Sequence, residues 1–150
     1  MMRQTVEAVV RTKASDELIS VAASATVAEA VDVMATRRVG AVVIKTEDGL
    51  VGGIFTERDL LVRVVRAGLD PKTTPISLVM TRDVRFVTPG TTIEAALSLI
   101  HVNRHRHLLV IDGPRVCGLI SIGDLVRQMI EQGEGRFEAA VRAAVDLPKT

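Results

Sequence analysis

Two short stretches of this chain carry residue types that could do chemistry, and they are copies of one another. Gly53-Ile54-Phe55-Thr56-Glu57-Arg58-Asp59 returns as Gly118-Leu119-Ile120-Ser121-Ile122-Gly123-Asp124, at an offset of 118 − 53 = 65 residues. Each ends in a hydroxyl followed three residues later by a carboxylate, Thr56 with Asp59 and Ser121 with Asp124. Placed where a strand turns into a helix, that pair could hold a ribose and phosphates. It also has the form of a capping box, in which hydroxyl and carboxylate satisfy free amides of the first helical turn. The two roles are compatible, because a helix N-terminus is itself favourable for a phosphate.

The elements that must position these pairs are duplicated as well. Val27, Ala30, Val31 and Met34 have helical spacing, and Ile93, Ala96, Leu97 and Ile100 repeat it 66 residues later. Leu60, Leu61, Val64 and Val65 are answered by Leu125, Val126, Met129 and Ile130. Between the two helices of each copy lie apolar runs, 41–44 and 50–56, then 108–111 and 116–121. Turn-forming residues at 45–49 and 112–115 join them as hairpins. Each copy therefore reads as short strand, helix, strand, hairpin, strand, helix, and two copies of one unit usually pack on each other. The expected organisation is an N-terminal segment 1–15, a first repeat 16–67, a linker 68–75 with two prolines, a second repeat 76–132 and a helical tail 133–150. A short helix is expected over 5–12, and Phe137, Ala140, Val141, Ala144 and Val145 give the tail an apolar stripe.

Composition excludes several function classes. A net charge of +1 exerts no general pull on nucleic acid or an anionic membrane. With no Trp, no Tyr and three Phe there is no platform for stacking single-stranded bases. No apolar run is long enough to span a bilayer, and residues 1–7 lack a signal-peptide core. Cys117 is the single cysteine, so no intrachain disulfide can form, and a reducing cytoplasm is the expected location. Cys117 sits in an apolar strand with no activating charge in sequence reach, and a buried, inert thiol is expected there. His101 and His105 are four apart, with His107 following, but no carboxylate or thiol nearby completes a metal site. No Gly-rich phosphate loop is present, and the chain reads as a binding module, not an enzyme.

Two further groups of residues bear on binding. The basic run Asn103-Arg104-His105-Arg106-His107 closes the helix of the second copy, where cations suit the helix C-terminal dipole. The matching place in the first copy, Gly40-Ala41, carries no charge. Arg58 is a phosphate candidate that could equally pair with a neighbouring carboxylate.

Taken together, Thr26-Val27 with Glu29-Ala30 and Met34, then Val39-Gly40-Ala41-Val42-Val43-Ile44, then Gly53 to Leu60, resemble a cystathionine-β-synthase (CBS) domain. Met80-Thr81-Arg82-Asp83-Val84, Arg106-His107-Leu108-Leu109-Val110-Ile111-Asp112 and the run from Gly118 to Leu125 resemble a second. The resemblance implies an α/β (α+β) fold of two βαββα repeats packed with pseudo-two-fold symmetry, the stand-alone prokaryotic CBS pair or Bateman module. It implies clefts for adenosine compounds (AMP, ADP, ATP or a dinucleotide), homodimerisation, and a role in energy sensing and signal transduction through a regulated partner. A structural dimerisation module with empty or weak clefts is the alternative.

The resemblance also assigns roles. Asp59 and Asp124 would accept the ribose hydroxyls, with Thr56 and Ser121 beside ribose and phosphate. Residues beside Leu18 and Val84 would wall the adenine. Arg106 and His107 would reach the phosphates of the ligand held by Asp59, so the two clefts should be unequal, the second weaker or empty.

The tail carries its own expectation. If its apolar stripe packs on the module or across a dimer seam, truncation after Gln132 lowers solubility or dimer stability. Light scattering on the full and truncated chains checks this, and two well-behaved monomers would contradict it.

Overall fold

The computed structural model describes residues 4–13 and 18–131; the tail stripe at 137–145 lies outside them. The chain folds as two compact units, one formed by Leu18–Val84 and the other by the residues before it together with those from Arg85 onward.

In the first of these, β1 (Ser20–Ala22) leads through α2 (Val27–Arg37) to β2 (Ala41–Lys45) and β3 (Val51–Thr56); the opening helix α1 (Val6–Thr12) belongs to the other unit. The sheet order is β1-β2-β3, with β1 parallel to β2 and β2 antiparallel to β3. Thr26 caps α2 by accepting the Glu29 amide, and the apolar face expected from spacing turns inward, with Val27, Ala30 and Met34 buried. These residues pack with Val42, Ile44, Phe55 and Val64. α3 starts as an α-helix over Glu57–Asp59 and continues as a π-helix over Leu60–Val65, followed by a 3₁₀ turn at Ile76–Leu78. Of the apolar set expected to face the core here, Val64 is buried and Leu60 partly so, but Leu61 and Val65 are exposed. Ile130, the counterpart of Val65 in the second copy, is exposed as well, so each of these stripes is wider than the face its helix buries.

The other unit repeats the plan. β4 (Phe86–Val87), α4 (Ile93–Asn103), β5 (His107–Asp112), β6 (Arg115–Ser121) and α5 (Ile122–Glu131) follow in order, with β4 parallel and β6 antiparallel to β5. Ile93, Ala96 and Ile100 are buried with Leu108, Val110, Ile120, Leu125 and Met129. Duplication extends to irregularities. Each hairpin has a register shift at the matching place, Ile44/Lys45 and Val110/Ile111. Each first helix ends on an arginine in the left-handed region, Arg38 at φ 55 and Arg104 at φ 57. Cys117, expected to be buried, is only half-buried on β6, at the margin of the core that contains Ile120.

The segment preceding each copy is built into the core that holds the other copy. α1, which precedes the first copy, places Val6 and Val9 among the apolar residues of the second. Ile76, Val79 and Met80, which precede the second copy, belong to the core of the first. There Thr81 forms a two-way backbone bridge with Ile54, at 2.9 and 2.8 Å. This close approach explains Gly53, where a Cβ would lie 2.5 Å from the Thr81 carbonyl oxygen. At the matching Gly118 a Cβ would meet, among the described residues, only the Val10 methyls, the nearer at 3.6 Å.

Gly53→Ala is therefore expected to destabilise the protein by about 1–3 kcal/mol, as overpacking against backbone does. Gly118→Ala should cost far less. Urea unfolding of the two variants checks the asymmetry, and equal costs would refute it.

Candidate functional site

Both hydroxyl–carboxylate pairs form at a strand-to-helix turn. At the end of β3 the Asp59 amide donates to the Thr56 hydroxyl at 3.1 Å, and the Thr56 amide donates to the Asp59 carboxylate at 3.0 Å. At the end of β6 the Asp124 amide donates to the Ser121 hydroxyl at 3.1 Å, and the Ser121 amide to Asp124 at 2.9 Å. These are two reciprocal capping boxes. Extended backbone at Thr56, φ −116 and ψ 165, turns the hydroxyl back over the first turn.

Each carboxylate also receives a group from a distant part of its own unit. The Thr81 hydroxyl sits 2.9 and 3.0 Å from the two oxygens of Asp59, sharing its proton between them. Lys13 Nζ donates to Asp124 at 2.9 Å and to the Leu119 carbonyl at 2.6 Å. Arginines one turn along complete each set, Arg63 at 3.5 Å from Asp59 and Arg127 at 3.6 Å from Asp124. Arg63 also donates to the Met80 carbonyl at 3.0 Å. Both carboxylates are largely buried, their side chains 8% and 12% exposed. Chemically each is an anion held in a fixed orientation, able to accept further hydroxyl donors only by exchanging partners.

Leu18, Thr56, Arg58, Asp59 and Val84 share one unit, and Arg106, His107, Ser121 and Asp124 share the other. Leu18 and Val84 are half-buried at the two ends of the first unit. Arg58 is exposed on the first turn of α3. Arg106 is exposed just before β5, its carbonyl accepting the Ile122 amide at 3.1 Å, and half-buried His107 opens the strand. The partners that sequence reasoning missed are Thr81 and Lys13. Arg63 and Arg127 stand at helical spacing from the carboxylates and were open to such reasoning. Thr81 and Lys13 lie 22 and 111 residues away, and no local pattern links them to the boxes.

Burial pushes the Asp124 carboxyl up, but the Ser121 amide and the Lys13 ammonium outweigh it, and the net shift is below the ordinary aspartate value. A carboxyl depressed on folding adds stability that is complete above its unfolded value, near 3.9, and is lost as pH falls through the folded value. Asp124→Asn should therefore be less stable than wild type at pH 7, by about 0.5–2 kcal/mol as lost caps are. That gap should close as pH drops below about 4. Urea midpoints from pH 7 to pH 3 test this, and a gap that does not narrow would show that the Asp124 charge adds nothing.

Known proteins share this fold. The CBS domain model matches twice, over residues 6–66 and 76–131. The CBS domain-containing protein CBSX3, mitochondrial, of Arabidopsis thaliana is 37% identical over 111 residues, covering 71% of this chain and 54% of that protein. The chain thus spans about half the length of CBSX3, and 24% of the Arabidopsis protein CBSCBSPB1. The CBS domain-containing protein YhcV of Bacillus subtilis is 31% identical over 120 residues, covering 79% of this chain and 84% of YhcV. Among solved structures, a protein with CBS domains from Burkholderia ambifaria superposes with a TM-score of 0.82 at 33% identity, covering 87% of this chain and 97% of that one. Two matched repeats on two three-stranded sheets make this chain a member of the CBS domain family, carrying a CBS pair.

Proposed function

We propose that this CBS pair is a regulatory module that binds adenosine nucleotides, AMP, ADP, ATP or a related compound, and passes their presence to a protein partner as a homodimer without catalysis. The observation that carries this reading is the duplicated capping box, in which an oriented carboxylate and a hydroxyl stand together at a helix N-terminus in each copy. A vicinal diol suits such a carboxylate, whose two oxygens can take two O–H donors. The Thr81 hydroxyl already makes that kind of bond to Asp59, which supports a ribose hydroxyl taking its place. Arg58, Arg106 and His107 are the proposed phosphate contacts, and residues beside Leu18 and Val84 the proposed adenine wall. A relative of known structure is named as a candidate for signal transduction, and another, 26% identical, is named as a hexamer, which supports regulation and self-association.

One observation favours the alternative, a dimerisation module that binds nucleotide weakly or not at all. Both carboxylates already have partners within the chain, while the helices expose Leu61, Val65, Val102 and Ile130.

A ligand that binds only the folded state stabilises it by mass action, by about 2.7 kcal/mol at a hundredfold excess over Kd, and so raises the melting point. Thermal melts with adenosine, AMP, ADP and ATP should show a rise of several degrees for at least one. Asp59→Ala should weaken that ligand about ten- to a hundredfold, the loss of a charge-assisted hydrogen bond. No rise with any of the four would favour the dimerisation module. A rise unaltered by Asp59→Ala and Asp124→Ala would remove the ribose role.

A further inference from the structure

The two capping boxes match within their own turns and differ in what reaches them from elsewhere in their units. In the first copy the visitor is Thr81, whose amide donates to the Ile54 carbonyl at 2.8 Å and whose hydroxyl donates to Asp59. The 65-residue offset carries Ile54 to Leu119 and Asp59 to Asp124. Both of those groups accept from a single atom, Lys13 Nζ, at 2.6 and 2.9 Å. One ammonium in the second copy thus does the work of an amide and a hydroxyl in the first.

The substitution changes the electrostatics of the site. At Asp59 the group arriving from outside the helix is neutral, so a ligand hydroxyl that displaces it breaks and makes bonds of the same kind. At Asp124 the group is a cation at contact distance, so its bond adds an attraction between two full charges that a hydroxyl–carboxylate bond lacks. Displacing it with a hydroxyl leaves the buried anion without its countercharge and gives the ammonium nothing in return. Solvent reduces this penalty without removing it, since the Lys13 side chain is 35% exposed and Asp124 only 12%. Arg127 does not replace Lys13, being 3.6 Å away with its side chain 69% exposed.

We infer that Lys13 is an internal occupant of the Asp124 carboxylate, and that it bars the second copy to ligands offering only neutral hydroxyls. The inference rests on the nucleotide-binding reading above and specifies which copy is open. It places the inequality of the two copies in a residue from the segment before the first repeat, in addition to the charge difference between Arg106-His107 and Gly40-Ala41.

Adenosine is the suitable probe because it offers a ribose diol and no phosphate. Calorimetric titration of the full chain should give one adenosine site per chain in wild type. Lys13→Met keeps the aliphatic stem, removes the ammonium, and should reveal a second site, bound at least about tenfold more tightly than in wild type, equivalent to about 1.4 kcal/mol. Asp124→Asn added to Lys13→Met should abolish that second site again. Lys13→Arg retains the charge and should behave as wild type. In an Asp59→Ala background adenosine binding should disappear and return with Lys13→Met, with circular dichroism confirming that each variant is folded. Two equal adenosine sites in wild type, or an unchanged count in Lys13→Met beside an intact Asp59 site, would overturn this inference alone. Absence of adenosine binding in wild type and all variants would overturn this inference, and absence of AMP, ADP and ATP binding as well would remove the nucleotide reading.

Discussion

A carboxylate taken out of water at the start of a helix must be satisfied, and much of the structure around each copy's last helix answers that demand. Asp59 and Asp124 cap the helices that follow β3 and β6, and in doing so they are largely buried. A half-satisfied buried anion would cost more than the cap returns. Each therefore receives a backbone amide from its own turn and a donor brought in by a remote segment. The remote donor is what ties the segment preceding one copy to the core that carries the other.

That exchange of leading segments has a packing basis. A three-stranded sheet covered on one face by two helices leaves apolar surface that its own fifty-odd residues do not fill. In the first unit, Ile76, Val79 and Met80 supply the missing volume, and Gly53 gives up its side chain so that Thr81 can bridge β3. In the other unit Val6 and Val9 of α1 supply it, and Lys13 at the end of that helix is positioned over Leu119 and Asp124. Anchoring by apolar burial and capping by a remote donor thus come from the same stretch of chain. A change in ligation at either carboxylate would be felt by the segment that enters the neighbouring copy.

Duplication has preserved geometry more faithfully than chemistry. Hairpin irregularities, left-handed arginines and capping boxes all recur at the same places. The departures are concentrated around the carboxylates, with Thr81 against Lys13 and a π-helix after Asp59 against a regular α-helix after Asp124. Arg63, which lies on the π turn, reaches both Asp59 and the Met80 carbonyl and joins the helix to the segment that delivers Thr81.

What the sequence determined by itself was everything governed by local periodicity. Helical and strand spacing, the 65-residue offset and the Thr-x-x-Asp and Ser-x-x-Asp patterns were sufficient for element order, the inward faces of α2 and α4, both capping boxes and the family. They were insufficient for how much of each last helix lies inward: Leu61 and Val65, expected inward, lie exposed on a π-helix, and Ile130 lies exposed on the regular α5. The left-handed arginines were equally silent, since Gly or Asn is the residue that normally announces such a cap. Only the tertiary structure decided which groups meet Asp59 and Asp124. A hydroxyl 22 residues away and an ammonium 111 residues away are brought there by the packing of apolar side chains, and that packing leaves no trace in local spacing.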